Sequence, residues 1–151
     1  MKKFLALLVI ASMCGFFSVA TAAEKPTKED LVAFVKKAVE YAQQNGKEKA
    51  LAEYMNPEGD FFQGELYIFA YDFDGNVISH GAKPSLVGKN LLILRDANGL
   101  AVIEELIKVA KTGEGFLKYN WDNPQAGKVM PKLGYVVKMD DTWWLGSGIY
   151  E

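Results

Sequence analysis

Cysteine is almost missing from this chain. The 151 residues hold one, Cys14, and it lies in the amino-terminal apolar run. The rest of the chain therefore has no disulfide, no thiolate nucleophile, no thiolate zinc site and no covalent haem motif. Histidine and arginine are as scarce, with His80 and Arg95 the sole examples. A metal site would have to be built mostly from carboxylates, and no metal or cofactor is expected. Runs of basic residues and a glycine-rich phosphate loop ending in Lys-Ser or Lys-Thr are also missing. Without residues 1–23 the chain has 128 residues and a net charge of about −4, a balance that argues against nucleic acid as the partner.

Only one long hydrophobic run is present. Lys2 and Lys3 precede it, residues 4–19 are almost wholly apolar, and the small residues Ala20, Thr21, Ala22 and Ala23 follow. This is the pattern of a secretory signal peptide over 1–23, cut after Ala22 or Ala23. It leaves one domain over 24–151 in the periplasm or outside the cell. The competing reading is an uncleaved anchor, for which the run is near the lower length limit. Cys14 follows Met13 and sits inside the run, which argues against lipid attachment.

Thr27 with Asp30 three residues on reads as a helix N-terminus. Leu31, Phe34, Val35, Ala38 and Ala42 then recur at helical spacing, and Gly46 fits the stop. A second short helix over 47–55 ends at Asn56-Pro57. Both helices are amphipathic and need an apolar surface to cover. From Glu65 the period changes. Residues 65–72 read as a buried strand, Asp74-Gly75 as a hairpin turn and 76–80 as the returning strand. The long connection over 81–98 is of a length that is usually functional or partly helical. An amphipathic helix over 100–111 stops at Gly113, and strands follow at 115–121, 132–139 and 142–150. This order predicts an α+β domain with an antiparallel sheet of about five strands. The amino-terminal helices cover one face, and a loop and helix excursion covers the other.

The last three strands place a cation, several hydroxyl or indole donors and several glycines in a small space, which suits a pocket for a small anion better than a catalytic centre. The segment from Asp72 to Asn76 does not fit an EF-hand, because glycine falls at the fourth position and Lys83 at the twelfth, where that loop needs glycine at the sixth and glutamate at the twelfth. Gly146-Ser147-Gly148 lacks the outer spacing of a nucleophile elbow. Ser79 and His80 are neighbours on a strand and point to opposite faces. No catalytic residue is expected.

Residues 67–80, Leu86 to Leu91 with Gly88-Lys89-Asn90, Gly113 to Phe116, Tyr119-Asn120-Trp121, Pro131 to Val136 and Gly146 to Tyr150 together resemble the Cache family, specifically the single-Cache type 2 domains. The resemblance covers about residues 28–151. It implies a PAS-like fold and an extracytoplasmic ligand-sensing role of the kind found in chemoreceptors and sensor kinases, many of which bind small organic acids. Gly134 stands where the family usually has serine. The chain shows no receptor transmembrane helix or signalling module, so it looks like a stand-alone secreted form.

The family pattern and the neighbouring aromatics make Lys132 the expected partner of a carboxylate, since charge-assisted hydrogen bonds are the strong ones. Tyr119 and Trp121 share a strand face and either line the pocket or pack in the core. Tyr135 has the opposite parity to Lys132, so either a bulge or the strand start re-aims Lys132, or only one of the two faces the pocket. Gly134 would leave space beside Lys132. His80 sits where the second strand enters the long loop and is either structural or in the pocket. Arg95 either clamps a carboxylate or pairs with Asp96 or Glu104. Tyr71 completes the set, and 81–98 forms the cover. Gly146 and Gly148 are expected to admit the amino-terminal helix. The function expected is binding of a small organic anion, without catalysis, with the signal passed to a membrane receptor or sensor kinase. The alternatives are an accessory interaction subunit without a small ligand, and a small periplasmic enzyme.

Overall fold

The computed structural model describes residues 25–151. The expected export segment, Cys14 and the cleavage position lie outside the described residues.

Helix α1, Lys28–Asn45, begins with a full capping box. The Thr27 hydroxyl accepts the Asp30 N–H, and the Asp30 carboxylate accepts the Thr27 N–H. Gly46, at φ 85°, ends α1 and starts α2, Lys47–Glu53. The buried stripe of α1 is the one the spacing predicts: Leu31, Phe34, Val35, Ala38 and Ala42. Tyr54 ties the end of α2 to α1 through its hydroxyl, which donates to the Ala38 carbonyl at 2.6 Å.

A two-residue pair, β1 Phe62–Gln63 with β2 Leu66–Tyr67, precedes the main sheet. The strand expected over 65–72 is thus broken at Ile68 and continues as β3, Phe69–Asp72. It returns as β4, Val77–His80, after a turn in which the Asp72 carboxylate accepts the N–H groups of Asp74 and Asn76. Gly75 adopts φ 87° there, a backbone shape that glycine takes without penalty.

Residues 81–101 then leave the sheet, with a 3-10 turn at Pro84–Leu86. Helix α3, Val102–Lys111, follows and buries Val102, Ile103, Leu106, Ile107 and Ala110. The sheet is completed by β5 Glu114–Asn123, β6 Lys128–Lys138 and β7 Trp143–Tyr150. Its five strands are all antiparallel, in the order β4-β3-β7-β6-β5.

Each face of the sheet has its own apolar core. Tyr135, Trp143 and Leu145 pack with α1 on one side. Phe69, Tyr71, Tyr119, Val136 and Trp144 pack with α3 on the other. The α+β layout, the helix-covered face and the excursion over the second face are those read from the sequence.

Candidate functional site

Strand register builds the site. Lys132 pairs with Tyr119 of β5 on one side and Tyr150 of β7 on the other. Directly opposed residues of antiparallel strands point to the same face. The three side chains therefore form one row on the α3 side of the sheet. The neighbouring row is Leu117, Gly134 and Gly148, and its two glycines make a hollow. A Cβ on Gly148 would stand 2.5 Å from Lys132 Cε, and one on Gly134 would stand 2.7 Å from Tyr119 Cε1. The absence of side chains there lets the lysine stem and the tyrosine ring lie down against the sheet.

Lys132 is 1% exposed. Its Nζ donates to the Tyr67 hydroxyl at 2.8 Å. It also lies 4.1 Å from the centroid of the Tyr67 ring, 4.7 Å from that of Tyr150 and 5.6 Å from that of Phe69. No carboxylate forms an ion pair with it among the described residues. Burial lowers its pKa to about 7, against a smaller opposing influence from Glu65. The Glu65 carboxylate accepts the Tyr150 N–H at 3.3 Å. From Tyr67 the hydrogen bonds continue to the Tyr150 hydroxyl at 3.2 Å, and from there to the Asp122 carbonyl at 2.7 Å.

His80 stands on β4 beside this group, its ring 5.1 Å from that of Tyr67. Nδ1 accepts the Lys83 N–H at 3.0 Å, which assigns the proton of the neutral ring to Nε2. Burial, then the nearby Lys132 and Lys83, lower its pKa to about 3, so the ring is neutral at physiological pH. Tyr119 is 6% exposed, and burial raises its pKa.

Between this face and α3 lies a cavity of about 10 Å³, walled by His80, Tyr119, Trp121, Tyr71 and Phe69 from the sheet and by Val102, Ile103 and Leu106. That is room for about one water. Trp121 also borders a surface groove of about 390 Å³ with Leu86, Leu91, Leu94 and Val129, so its indole separates the cavity from the outside. Another groove, of about 750 Å³, lies elsewhere, between α1 and the Gln63–Leu66 turn. Its charged groups Lys25, Asp30 and Lys37 are exposed and Glu65 is buried; it contains no buried cationic donor comparable to Lys132.

Tyr119, Trp121, His80 and Tyr71 are thus brought together around the cavity; Lys132 lies beside Tyr119 in the strand row and is not itself one of the cavity walls. Tyr135 does not join them. The strand starts at Lys128, four residues before the expected position, and its ladder is regular through Lys132 and Tyr135. No bulge re-aims either side chain, and Tyr135 packs on Phe116 in the α1 core. Arg95 also falls outside the group. It is exposed, and its Nη1 donates to the Gly99 carbonyl at 2.9 Å, so it makes neither of the acidic pairings expected. Asp96 instead accepts the N–H groups of Asn98, Leu100 and Asn120 and the Asn120 side-chain amide, pinning the cover to β5. Gly146 and Gly148 face Phe69, Val136 and Lys132 rather than α1.

Sequence reasoning passed over Tyr67, Phe69 and Tyr150 as site residues. A signal for the first two was available, since Tyr67, Phe69 and Tyr71 alternate on one face of an extended chain.

Among known proteins, the Single Cache domain 2 family pattern matches residues 30–151. The sensor histidine kinase MctS of Rhizobium johnstonii is 44% identical over 85 residues, which are 56% of this chain and 18% of that protein. The methyl-accepting chemotaxis protein McpP of Pseudomonas putida is 31% identical over 86 residues, 56% of this chain and 16% of its own length. The chain therefore spans less than a fifth of either curated relative. A crystal structure of a methyl-accepting chemotaxis protein from Vibrio parahaemolyticus superimposes with a TM-score of 0.73 at 36% identity, covering 82% of this chain and 87% of the other. The periplasmic sensor domain of a chemotaxis protein gives a TM-score of 0.62 at 25% identity, covering 81% and 88%. With the pattern matched along four-fifths of its length and the two-faced sheet retained, the chain belongs to the Single Cache domain 2 family of sensor domains.

Proposed function

We propose that this domain binds a small organic anion, a carboxylate, outside the cytoplasm without altering it chemically, and passes the signal to a membrane receptor or sensor kinase. One observation carries the reading. Lys132 presents a buried amine with a single hydrogen-bond acceptor and no acidic partner among the described residues. An amine so placed lacks further acceptors, and its charged form would need a paired charge; a carboxylate supplies both. The His80 Nε2–H gives a second donor, Tyr119, Tyr71 and Trp121 shape the cavity, and residues 81–101 with Trp121 form the cover that moves to admit the ligand. A Cache chemosensory domain that recognises a carboxylic acid shares the fold, with a TM-score of 0.61 at 24% identity; it supports the reading by analogy of architecture. Export through cleavage after Ala22 or Ala23, leaving a 24–151 domain in the periplasm or outside the cell, belongs to the same proposal.

The test is a thermal-shift screen with small carboxylates, amino acids, amines and purines, run on the protein and on Lys132→Met. Selective binding to the folded state raises the melting temperature. The expected result is a shift by carboxylates that the variant lacks. A carboxylate shift of equal size in the variant would refute the role of Lys132. A flat response across the panel in both would favour an accessory subunit that docks on a membrane partner.

A further inference from the structure

We propose that in alkaline solution the pocket takes up its anion together with a proton, the Lys132 amine being neutral in the closed pocket and becoming ammonium as the carboxylate enters. The proposal rests on the anion-binding reading above and adds to it the protonation state of the site.

The geometry supports it in three ways. An ammonium has three N–H donors, and Lys132 has one acceptor, the Tyr67 hydroxyl at 2.8 Å. Its other surroundings are the ring faces of Tyr67, Tyr150 and Phe69. Ring faces attract a cation by far less than full desolvation costs it.

The second argument concerns the charges around the amine. From the turn before β2, Glu65 favours the charged form, yet its carboxylate is spent on the Tyr150 N–H. From β4, His80 is neutral. From the start of the cover, Lys83 is paired with Asp122 of β5 at the surface. From β2, β5 and β7, Tyr67, Tyr119 and Tyr150 are neutral phenols whose ionisation burial pushes upward. No group facing Lys132 carries a negative charge bonded to it. Burial consequently brings the amine to about 7.

The third argument is that the row Tyr119, Lys132, Tyr150 is fixed by strand pairing on both sides. The Lys132 side chain lies within this row at 1% exposure, so its amine is not held in water as those of surface lysines are.

An incoming carboxylate reverses this balance. It raises the affinity of the amine for a proton, which arrives from solvent at Nζ while the carboxylate remains an anion. Net charge entering the site is zero. Above pH ~7 the anion's affinity then falls by up to about tenfold per pH unit, while below it the affinity is flat until the ligand itself protonates.

Two measurements test this on the same protein. The first needs no ligand: the ¹³Cε resonance of Lys132, assigned through its contacts to the Tyr67 and Tyr150 rings, is followed against pH. A midpoint near neutrality is expected, and one near that of ordinary lysines overturns the proposal. The second is calorimetry with acetate at pH ~8 in buffers of different ionisation enthalpy, where the slope of heat against buffer enthalpy counts protons. Uptake approaching one proton per acetate is expected. Acetate binding with no uptake overturns proton coupling and leaves anion binding standing. A neutral midpoint with no heat from acetate, and none from other small carboxylates, refutes the anion reading and this proposal with it.

Discussion

Tyr67 and Tyr150 share a hydrogen bond whose direction is set from outside the pair. Tyr150 has one hydroxyl proton, and the Asp122 carbonyl takes it at 2.7 Å. Across the 3.2 Å contact Tyr67 must therefore be the donor. The Tyr67 oxygen is left to accept from Lys132. A backbone carbonyl on β5 thus fixes the polarity of two phenols and an amine contributed by three other strands.

Tyr150→Phe removes that anchor. It leaves the Asp122 carbonyl without its donor and the Tyr67 proton without its acceptor. The expected cost is about 1–3 kcal/mol of stability. Urea denaturation checks it, as a lower midpoint at unchanged slope.

Stability without ligand should rise with pH above neutrality. Lys132 titrates at about 7 in the folded state and near ~10.4 in the unfolded chain. Between those values the unfolded state holds a proton that the folded state does not, so raising the pH favours folding, by at most about 1.4 kcal/mol per unit. Below the folded value both states are protonated and the contribution is constant. Lys132→Met should lack this slope. Urea midpoints of the protein and the variant, compared at pH ~7 to ~9, isolate the lysine from other titrations.

Gly148→Ala tests the glycine hollow. The new methyl would meet Lys132 Cε at 2.5 Å and the Leu133 carbonyl at 2.8 Å. Both approaches are too close to stand, so the lysine stem and the β6 backbone at Leu133 must shift. A loss of about 1–3 kcal/mol is expected from the overpacking, with loss of the carboxylate thermal shift. Retention of that shift would mean that the stem position is not critical to the site.

Asp96→Ala should loosen the cover. Burial acts to raise the Asp96 pKa, but the hydrogen bonds from Asn120, Leu100 and Asn98 outweigh it and hold the carboxyl below its ordinary value. Its grip is therefore complete at neutral pH and lost only as the pH falls through that depressed value. Hydrogen exchange should accelerate at the Asn98, Leu100 and Asn120 amides in the variant and leave α1 unchanged.

The fold was legible because each change of hydrophobic period marks a real element. The stripe from Leu31 to Ala42 and the alternation of the last three strands gave both faces of the sheet. The placement of Lys132, Tyr119, Trp121, His80 and Tyr71 on the α3 side was legible because each alternates onto one face or ends a strand at the cover; their part in binding is the proposal above. Tyr135 shows the limit: its parity already set it apart from Lys132, and the regular ladder keeps it there. Arg95 lies in the cover with its guanidinium on the Gly99 carbonyl, an arrangement of the loop that its charge alone does not reveal. Gly146 and Gly148 were assigned to the wrong neighbour, since parity tells which residues share a face but not which layer covers it. Tyr150 needed the register of β6 against β7, a relationship between distant residues that local pattern does not carry.

The place of β7 has a consequence for how the molecule is made. The β3–β4 hairpin and the β5–β6 hairpin never touch as a sheet; β7 alone joins them. During vectorial synthesis the β3–β4 hairpin emerges well before β7 and the β5–β6 hairpin just before it, each with its inner edge bare. Neither apolar face is continuous until residue 150 is available, and the tyrosine at that position is also the one that closes the box around Lys132. Synthesis of β7 completes the sheet and the row around Lys132 in one event, so a chain lacking β7 should expose bare strand edges and lose the proposed ligand site.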